Sequence, residues 1–154
     1  MVVEETPPAP RGPGYTHSLV TALKAVPSLT VCDEDTLLSI VGDSLNLVWP
    51  AGQRVFEPGT RSEGLFIVLS GGVRILGDDG REIAHLGPGE HFAELSLLFG
   101  TPHRRAVETT EDTELMFVPK ERFDSLLEHN PGLAAGIREK AEERLEANRA
   151  LPTD

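Results

Sequence analysis

The sequence predicts a mainly β domain, a sandwich or barrel with helices on both sides of it. Between residues 44 and 119, short apolar segments alternate with turns rich in glycine and proline, a pattern typical of all-β folds. On either side of this region, apolar residues recur at helical spacing. The 154 residues fit one domain with tails, large enough to bury a core without disulfides or metal.

The N-terminal region predicts a tail and two helices. Residues 1–15 carry four prolines and two glycines, so we expect a disordered tail. A second helix is expected after Asp33, because a carboxylate at a helix start accepts hydrogen bonds from free backbone amides. The first helix is predicted over Ser18 to Val26, ends at Pro27, and has its apolar face at Leu19, Val20, Leu23 and Val26.

Seven short segments in the central region read as strands. Asp79-Gly80 between Ile75 and Ile83 is the strongest hairpin signal, since that dipeptide suits a tight two-residue turn. The predicted strands are Leu45 to Val48, Arg54 to Phe56, Leu65 to Leu69, Val73 to Leu76, Glu82 to Leu86, Val107 to Thr109 and Glu114 to Val118.

Two helices are predicted at the C-terminal end, over Lys120 to Glu128 and from Pro131 to about Arg149. The second carries an i, i+4 apolar stripe, which usually packs on its own domain; a dimer seam or a movable lid is the alternative. The domain therefore extends over residues 16–149, with the β region at about 44–119 and a short tail at 150–154. The stripe consists of Leu133, Ile137, Ala141 and Leu145.

Composition narrows the functional classes. The net charge of −11 and the pI near 4.8 disfavour direct nucleic-acid binding, which needs a basic face. The single cysteine, Cys32, excludes an internal disulfide and a cysteine zinc site. The longest apolar run, Leu65 to Leu69, is too short for a bilayer, and the acidic, proline-broken start lacks a signal peptide. We expect a cytoplasmic protein without membrane insertion.

The stretch PGEHFAELSLLFGTPHRRAV, residues 88–107, combines parts that suit a phosphorylated sugar. Glu94 interrupts an apolar run that is typical of a short helix. The first amides of a helix are unpaired and form a site for an anion. Basic residues follow at His103, Arg104 and Arg105, in an otherwise acidic chain. Taken alone, these features also fit a capping glutamate followed by surface arginines.

Together with FEPGTRSEGLFIVLSGGVRIL at residues 56–76, this stretch resembles the cyclic nucleotide-binding domains of catabolite activators and protein kinase A regulatory subunits. GPGEHFAELSLLFGTPHRRAV is similar to the phosphate-binding cassette of that family, in which F-G-E-(L/I)-(A/S)-L is followed by proline and arginine. The resemblance covers roughly Leu19 to Arg149. It implies a β jelly-roll with flanking helices, no enzymatic activity, and cAMP or cGMP as ligand.

The resemblance also implies roles for individual residues. Glu94 matches the carboxylate that binds the ribose 2′-hydroxyl, and the neighbouring positions Phe92, Ala93, Leu95 and Ser96 match the segment whose amides face the cyclic phosphate. Ala93 stands at the usual glycine. His103 stands at the phosphate-binding arginine, and Arg104 and Arg105 occupy positions that are normally small.

A one-residue shift could turn Arg104 or Arg105 inward, and strand alternation allows only one of them to point inward. Base selectivity in the family depends on the last helix, where Arg138, Arg144 and Asn148 are not diagnostic.

We therefore expect a stand-alone regulatory sensor that signals through its C-terminal helices to a protein partner or a homodimer. The main alternative is a degenerate domain that acts as a ligand-independent interaction module. A remote alternative is a cupin-like metal enzyme that uses His91, Glu94 and His85, although the chain lacks the H-x-H pattern of such sites.

Overall fold

The computed structural model describes residues 13–150. Two of its five α-helices precede the strands, two follow them, and a short one lies between two strands. Asp33 caps α2 as predicted, because its carboxylate accepts a 2.8 Å hydrogen bond from the amide of Thr36. The first helix begins at Pro13, so residues 13–15 are helical, whereas residues 1–12 and 151–154 of the predicted tails lie outside the described residues. The helices are α1 (Pro13–Lys24), α2 (Glu34–Asp43), α3 (Glu94–Phe99), α4 (Lys120–His129) and α5 (Pro131–Ala150), with a 3-10 turn at Pro27–Leu29.

Eight strands form two four-stranded antiparallel sheets in the β jelly-roll arrangement. The first sheet has the order β1-β8-β3-β6 and the second the order β2-β7-β4-β5. Three strands, β2, β4 and β5, have the predicted bounds. The strands are β1 (Leu45–Trp49), β2 (Arg54–Phe56), β3 (Gly64–Ser70), β4 (Val73–Leu76), β5 (Glu82–Leu86), β6 (His91–Phe92), β7 (Ala106–Thr109) and β8 (Thr113–Pro119).

The β3–β4 turn depends on a glycine in the left-handed region. Gly71 has φ +83°, and a Cβ at this position would collide with the main-chain oxygen of Asp112 and the side chain of Thr113. The Thr113 hydroxyl also receives a 3.1 Å hydrogen bond from the amide of Gly72. The turn is therefore built against the start of β8, with no room for a side chain.

Two apolar clusters make up the core. One joins the helices to the outer face of the first sheet and includes Leu133 and Ile137 of the α5 stripe. Ala141 of that stripe is also fully buried, so the stripe packs on its own domain. The other cluster fills the space between the sheets.

Aromatic rings connect the interior of the sandwich to the segment between β6 and β7. Trp49 meets Phe66 edge-on at 6.1 Å between ring centroids, and Phe66 lies 6.1 Å from Phe56. Phe56 in turn stacks on the imidazole of His103. Contacts of this kind favour one arrangement of the core over its alternatives, since edge-on and offset rings have preferred geometries.

The predicted phosphate-binding cassette connects the two sheets. It leaves the first sheet at β6, forms α3, and enters the second sheet at β7. Among the residues that the structure describes, no helix has the length and apolarity needed to span a membrane.

Candidate functional site

A cavity of about 550 Å³ lies beside the second sheet, α3 and the C-terminal part of α5. All eight residues that the sequence predicted for the site contribute to its wall. The rest of the wall is mostly apolar, with Ile75, Leu86 and Val107 from the strands and Leu145 from α5. The fold thus brings the predicted residues together around one space of a size suited to a small ligand.

Ala93 takes the left-handed conformation that glycine usually supplies. Its φ is 79°, and it is the one non-glycine residue with a positive φ in the described part of the chain. It precedes the first residue of α3 and provides no side-chain hydrogen bond to the helix start. The backbone at the usual glycine position therefore keeps the glycine geometry, at the steric cost of a Cβ.

Glu94 is buried at the cavity wall, with 2% of its surface exposed. Its Oε1 lies 2.7 Å from Nδ1 of His91 and also accepts a hydrogen bond from Nη1 of Arg144. Because a carboxylate only accepts, Nδ1 of His91 carries the hydrogen in its bond. Arg144 additionally donates to the main-chain oxygen of His91 at 2.5 Å. The carboxylate is thus held by a charge and two donors, as a buried charge requires.

Arg144 is the functional candidate that sequence reasoning did not single out. It lies on α5, three residues after the buried Ala141, and therefore close to the buried face of the helix. The spacing of three residues from Ala141, a member of the predicted apolar stripe, was the sequence signal that could have pointed to Arg144. The side chain of Arg138, on the same helix, is exposed, and the side chain of Asn148 lies outside the described residues.

His103 is buried and neutral. Its ring stacks on Phe56, with 3.6 Å between centroids, and its Nδ1 lies 3.1 Å from the Ser96 hydroxyl. Its backbone is paired with the β2–β3 turn through the amide of Gly59 and the oxygen of Thr60, at 2.7 and 2.8 Å. Burial lowers the pKa of the imidazole from 6.5 to about 4, so it carries no charge at neutral pH.

Arg105 points inward and Arg104 lies exposed at the rim, so one of the two points inward as expected, although both residues precede β7. The Arg105 side chain is 9% exposed, and its Nη1 lies 3.6 Å from a carboxylate oxygen of Asp78. Its Nε is buried and has no hydrogen-bond partner among the described residues. The cavity wall has a net positive charge, although the chain has a net charge of −11. Its charged residues are three arginines and one carboxylate: Arg104, Arg105, Arg144 and Glu94.

The residues proposed for a cupin-like metal site do not come together. His91 and Glu94 are in contact, but His85 is exposed on β5, with its Nε2 3.4 Å from the Thr110 hydroxyl. Within residues 13–150, no group of three His, Cys, Asp or Glu side chains is arranged to hold a metal ion.

Comparison with known families gives a direct match. The model of the cyclic nucleotide-binding domain matches residues 47–130, more than half of the chain. The chain belongs to the cyclic nucleotide-binding domain family. A similar curated protein is the cyclic AMP receptor protein of Thermus thermophilus, 35% identical over 94 residues, which cover 58% of this chain and 44% of that protein.

Fungal relatives also match the chain. A lysophospholipase NTE1 of Chaetomium globosum is 34% identical over 101 residues, which cover 63% of this chain but 7% of the enzyme. The chain thus spans less than half the length of both curated relatives. The NTE1 enzymes share only this domain with it.

Solved structures agree on the fold. The catabolite activator protein of Thermus thermophilus superposes with a TM-score of 0.71 at 28% identity, over 80% of this chain and 60% of the other. The sensor domain of the regulator DNR from Pseudomonas aeruginosa reaches 0.74 at 18% identity, over 90% of this chain and 97% of the other. The second likeness shows the fold alone.

Proposed function

We propose that this domain binds a cyclic nucleotide, cAMP or cGMP, in the cavity and is a regulatory sensor. The observation that carries the proposal is the buried carboxylate of Glu94 at the cavity wall. Both hydrogen bonds described for it end on Oε1, which leaves Oε2 for a ligand hydroxyl. A hydroxyl of the ribose is the donor that the family match suggests for this oxygen.

Charge and shape support the same ligand class. The positive wall favours an anion, and the apolar residues from β4, β5 and β7 favour a flat, weakly polar body next to it. One relative named above supports cAMP in particular, since it is a cyclic AMP receptor protein.

Signalling through α5 is part of the proposal. Arg144 and Leu145 of α5 reach the cavity, and Arg144 is bonded to the carboxylate that we assign to the ligand. A ligand that binds Glu94 changes the contacts of α5, and differential contacts are what shift a conformational equilibrium. The receiver is a protein partner or a second copy of the chain.

Calorimetric titration of the full chain with cAMP and cGMP tests binding, with adenosine as the uncharged control. We expect heat and a raised melting temperature with a cyclic nucleotide. Glu94→Gln should weaken binding about tenfold or more, whereas the exposed Glu82→Gln should not. No heat and no thermal shift at millimolar nucleotide would overturn the proposal. Light scattering with and without cAMP then distinguishes a dimer from a heterologous partner.

A ligand-independent interaction module is the second candidate, and the neutral His103 at the arginine position favours it. Such a module would have His103, Arg104 and Arg105 turned to solvent, with Phe92 or Leu98 filling the cavity. Arg104 is exposed, as this candidate expects, but the side chains of His103 and Arg105 are buried. Phe92 lines the cavity, and Leu98 packs against the helices instead. If this candidate is right, Ala93→Gly combined with His103→Arg should create nucleotide binding in a chain that otherwise has none.

A further inference from the structure

We propose that Arg105 holds the anionic group of the ligand, in place of the residue at position 103, so that the phosphate lies below the β4–β5 hairpin. The identity of the ligand in this inference rests on the proposed function. The anion site itself is independent of that function, because it follows from the side chains described above. Positions 103 and 104 are the alternatives for this role, and the structure argues against both.

His103 carries no charge with which to hold an anion. Its ring is neutral, is covered by Phe56 on one face, and directs Nδ1 at the Ser96 hydroxyl. Its main chain is paired on both sides with the β2–β3 turn, which holds the backbone at this position. A neutral imidazole also offers a single N–H donor, against the fork of a guanidinium.

Arg104 is exposed, whereas Arg105 is held inside. Nine-tenths of the Arg105 side chain is buried, and it contributes to the cavity wall. Its Nε has lost contact with water without gaining a hydrogen bond in the described part of the protein. A buried donor without a partner is costly, and a small turn of the guanidinium toward an anion in the cavity would relieve that cost.

The environment of Arg105 sets the place of the anion. Arg105 immediately precedes β7, whose first residue, Ala106, is paired with Leu76 of β4. Its only described ion pair is the 3.6 Å contact with Asp78 in the β4–β5 turn, and that carboxylate is 61% exposed. A longer and exposed ion pair is weak, so it competes poorly with a phosphate that binds Nε and Nη together.

Two measurements test the assignment. The first compares cAMP affinity by calorimetry in the wild type, Arg105→Gln, Arg105→Lys and the rival Arg104→Gln. Arg81→Gln is the matched control, because Arg81 is an exposed arginine of the β4–β5 hairpin that does not line the cavity. The second follows the arginine Nε–H resonances of the wild type during titration with inorganic phosphate, against sodium chloride at equal ionic strength. Arg105→Lys identifies the Arg105 resonance.

We expect Arg105→Gln to weaken cAMP binding about ten- to hundredfold and Arg81→Gln to leave it unchanged. The Arg105 Nε–H signal should move with phosphate and not with chloride. A loss of affinity in Arg104→Gln but not in Arg105→Gln overturns the assignment. If the wild type binds no nucleotide, the proposed function fails, and the phosphate titration alone decides: a shift at Arg105 supports the anion site, and no shift refutes it.

Discussion

The imidazole of His103 lies flat on the ring of Phe56, with 3.6 Å between the centroids and 7° between the planes. This contact ties the cassette to β2, because the backbone of His103 is also paired with the β2–β3 turn. A charged arginine at the same place would have to bury its guanidinium or turn it into the cavity. The neutral imidazole of His103 therefore packs on the aromatic core and also forms part of the cavity wall.

The first prediction concerns the dependence of stability on pH. The His103 pKa falls from 6.5 in the unfolded chain to about 4 in the folded one, so the unfolded state binds more protons between these values. The contribution to the free energy of unfolding is complete above pH 6.5 and is lost as pH falls toward 4. It amounts to about 1–3 kcal/mol. Urea unfolding across this range should show a shallower pH dependence in His103→Gln than in the wild type. An equal pH dependence of the two unfolding free energies would contradict the lowered pKa of His103.

The second prediction concerns Ala93. Replacing it by glycine removes the Cβ from a residue with φ 79° and should stabilise the domain by about 1 kcal/mol. Ala106→Gly is the matched control: it is another buried alanine of the cassette, but it lies in a strand, and its loss should be destabilising. Chemical denaturation measures both. Destabilisation by Ala93→Gly would show that the strain lies elsewhere.

The third prediction concerns the buried pair of Glu94 and Arg144. Arg144→Gln leaves the carboxylate without its charged partner and should lower the free energy of unfolding by about 3 kcal/mol. The double variant Glu94→Gln, Arg144→Gln should lose less than the sum of the two single variants, because the groups are coupled. Arg138→Gln, an exposed arginine of the same helix, should change stability by less than about 0.5 kcal/mol. Additive losses would mean that the pair is not formed in solution.

The fourth prediction separates backbone conformation from available space. Gly71 and Gly80 have the same φ of +83°, but a Cβ at Gly71 collides with β8 and one at Gly80 meets nothing within 4 Å. Gly80→Ala should therefore cost about 1–2 kcal/mol from the left-handed conformation alone. Gly71→Ala should cost clearly more, because the Asp112 backbone has to move. Similar melting temperatures for the two variants would contradict the close approach at the β3–β4 turn.

Much of the fold was readable from local patterns, and the failures have physical reasons. Turn residues bounded β2, β4 and β5 because glycine and proline mark the chain reversals directly. Strand β6 was missed because two residues, His91 and Phe92, carry no period of their own. Their strand identity comes from pairing with Ile67 and Phe66 of β3. A contact made only in the tertiary structure leaves no local signal.

The candidate site could likewise be predicted only in part from the sequence. The cassette residues were placed together because they are neighbours in sequence, and the structure gathers all eight at one cavity. The role of Arg144 was not readable, because 50 residues separate it from Glu94. The choice between Arg104 and Arg105 also required coordinates. Alternation predicted that one of them points inward, but the phase of the strand is set by its pairing with β4.

The aromatic chain from Trp49 through Phe66 and Phe56 to His103 has a practical consequence for spectroscopy. Trp49 is the only tryptophan of the sequence and is 2% exposed. All indole emission therefore originates at one known point, in the interior of the sandwich, one ring away from Phe92 of the cassette through Phe66. The protein has a native optical probe, so unfolding can be followed without a label or an introduced residue.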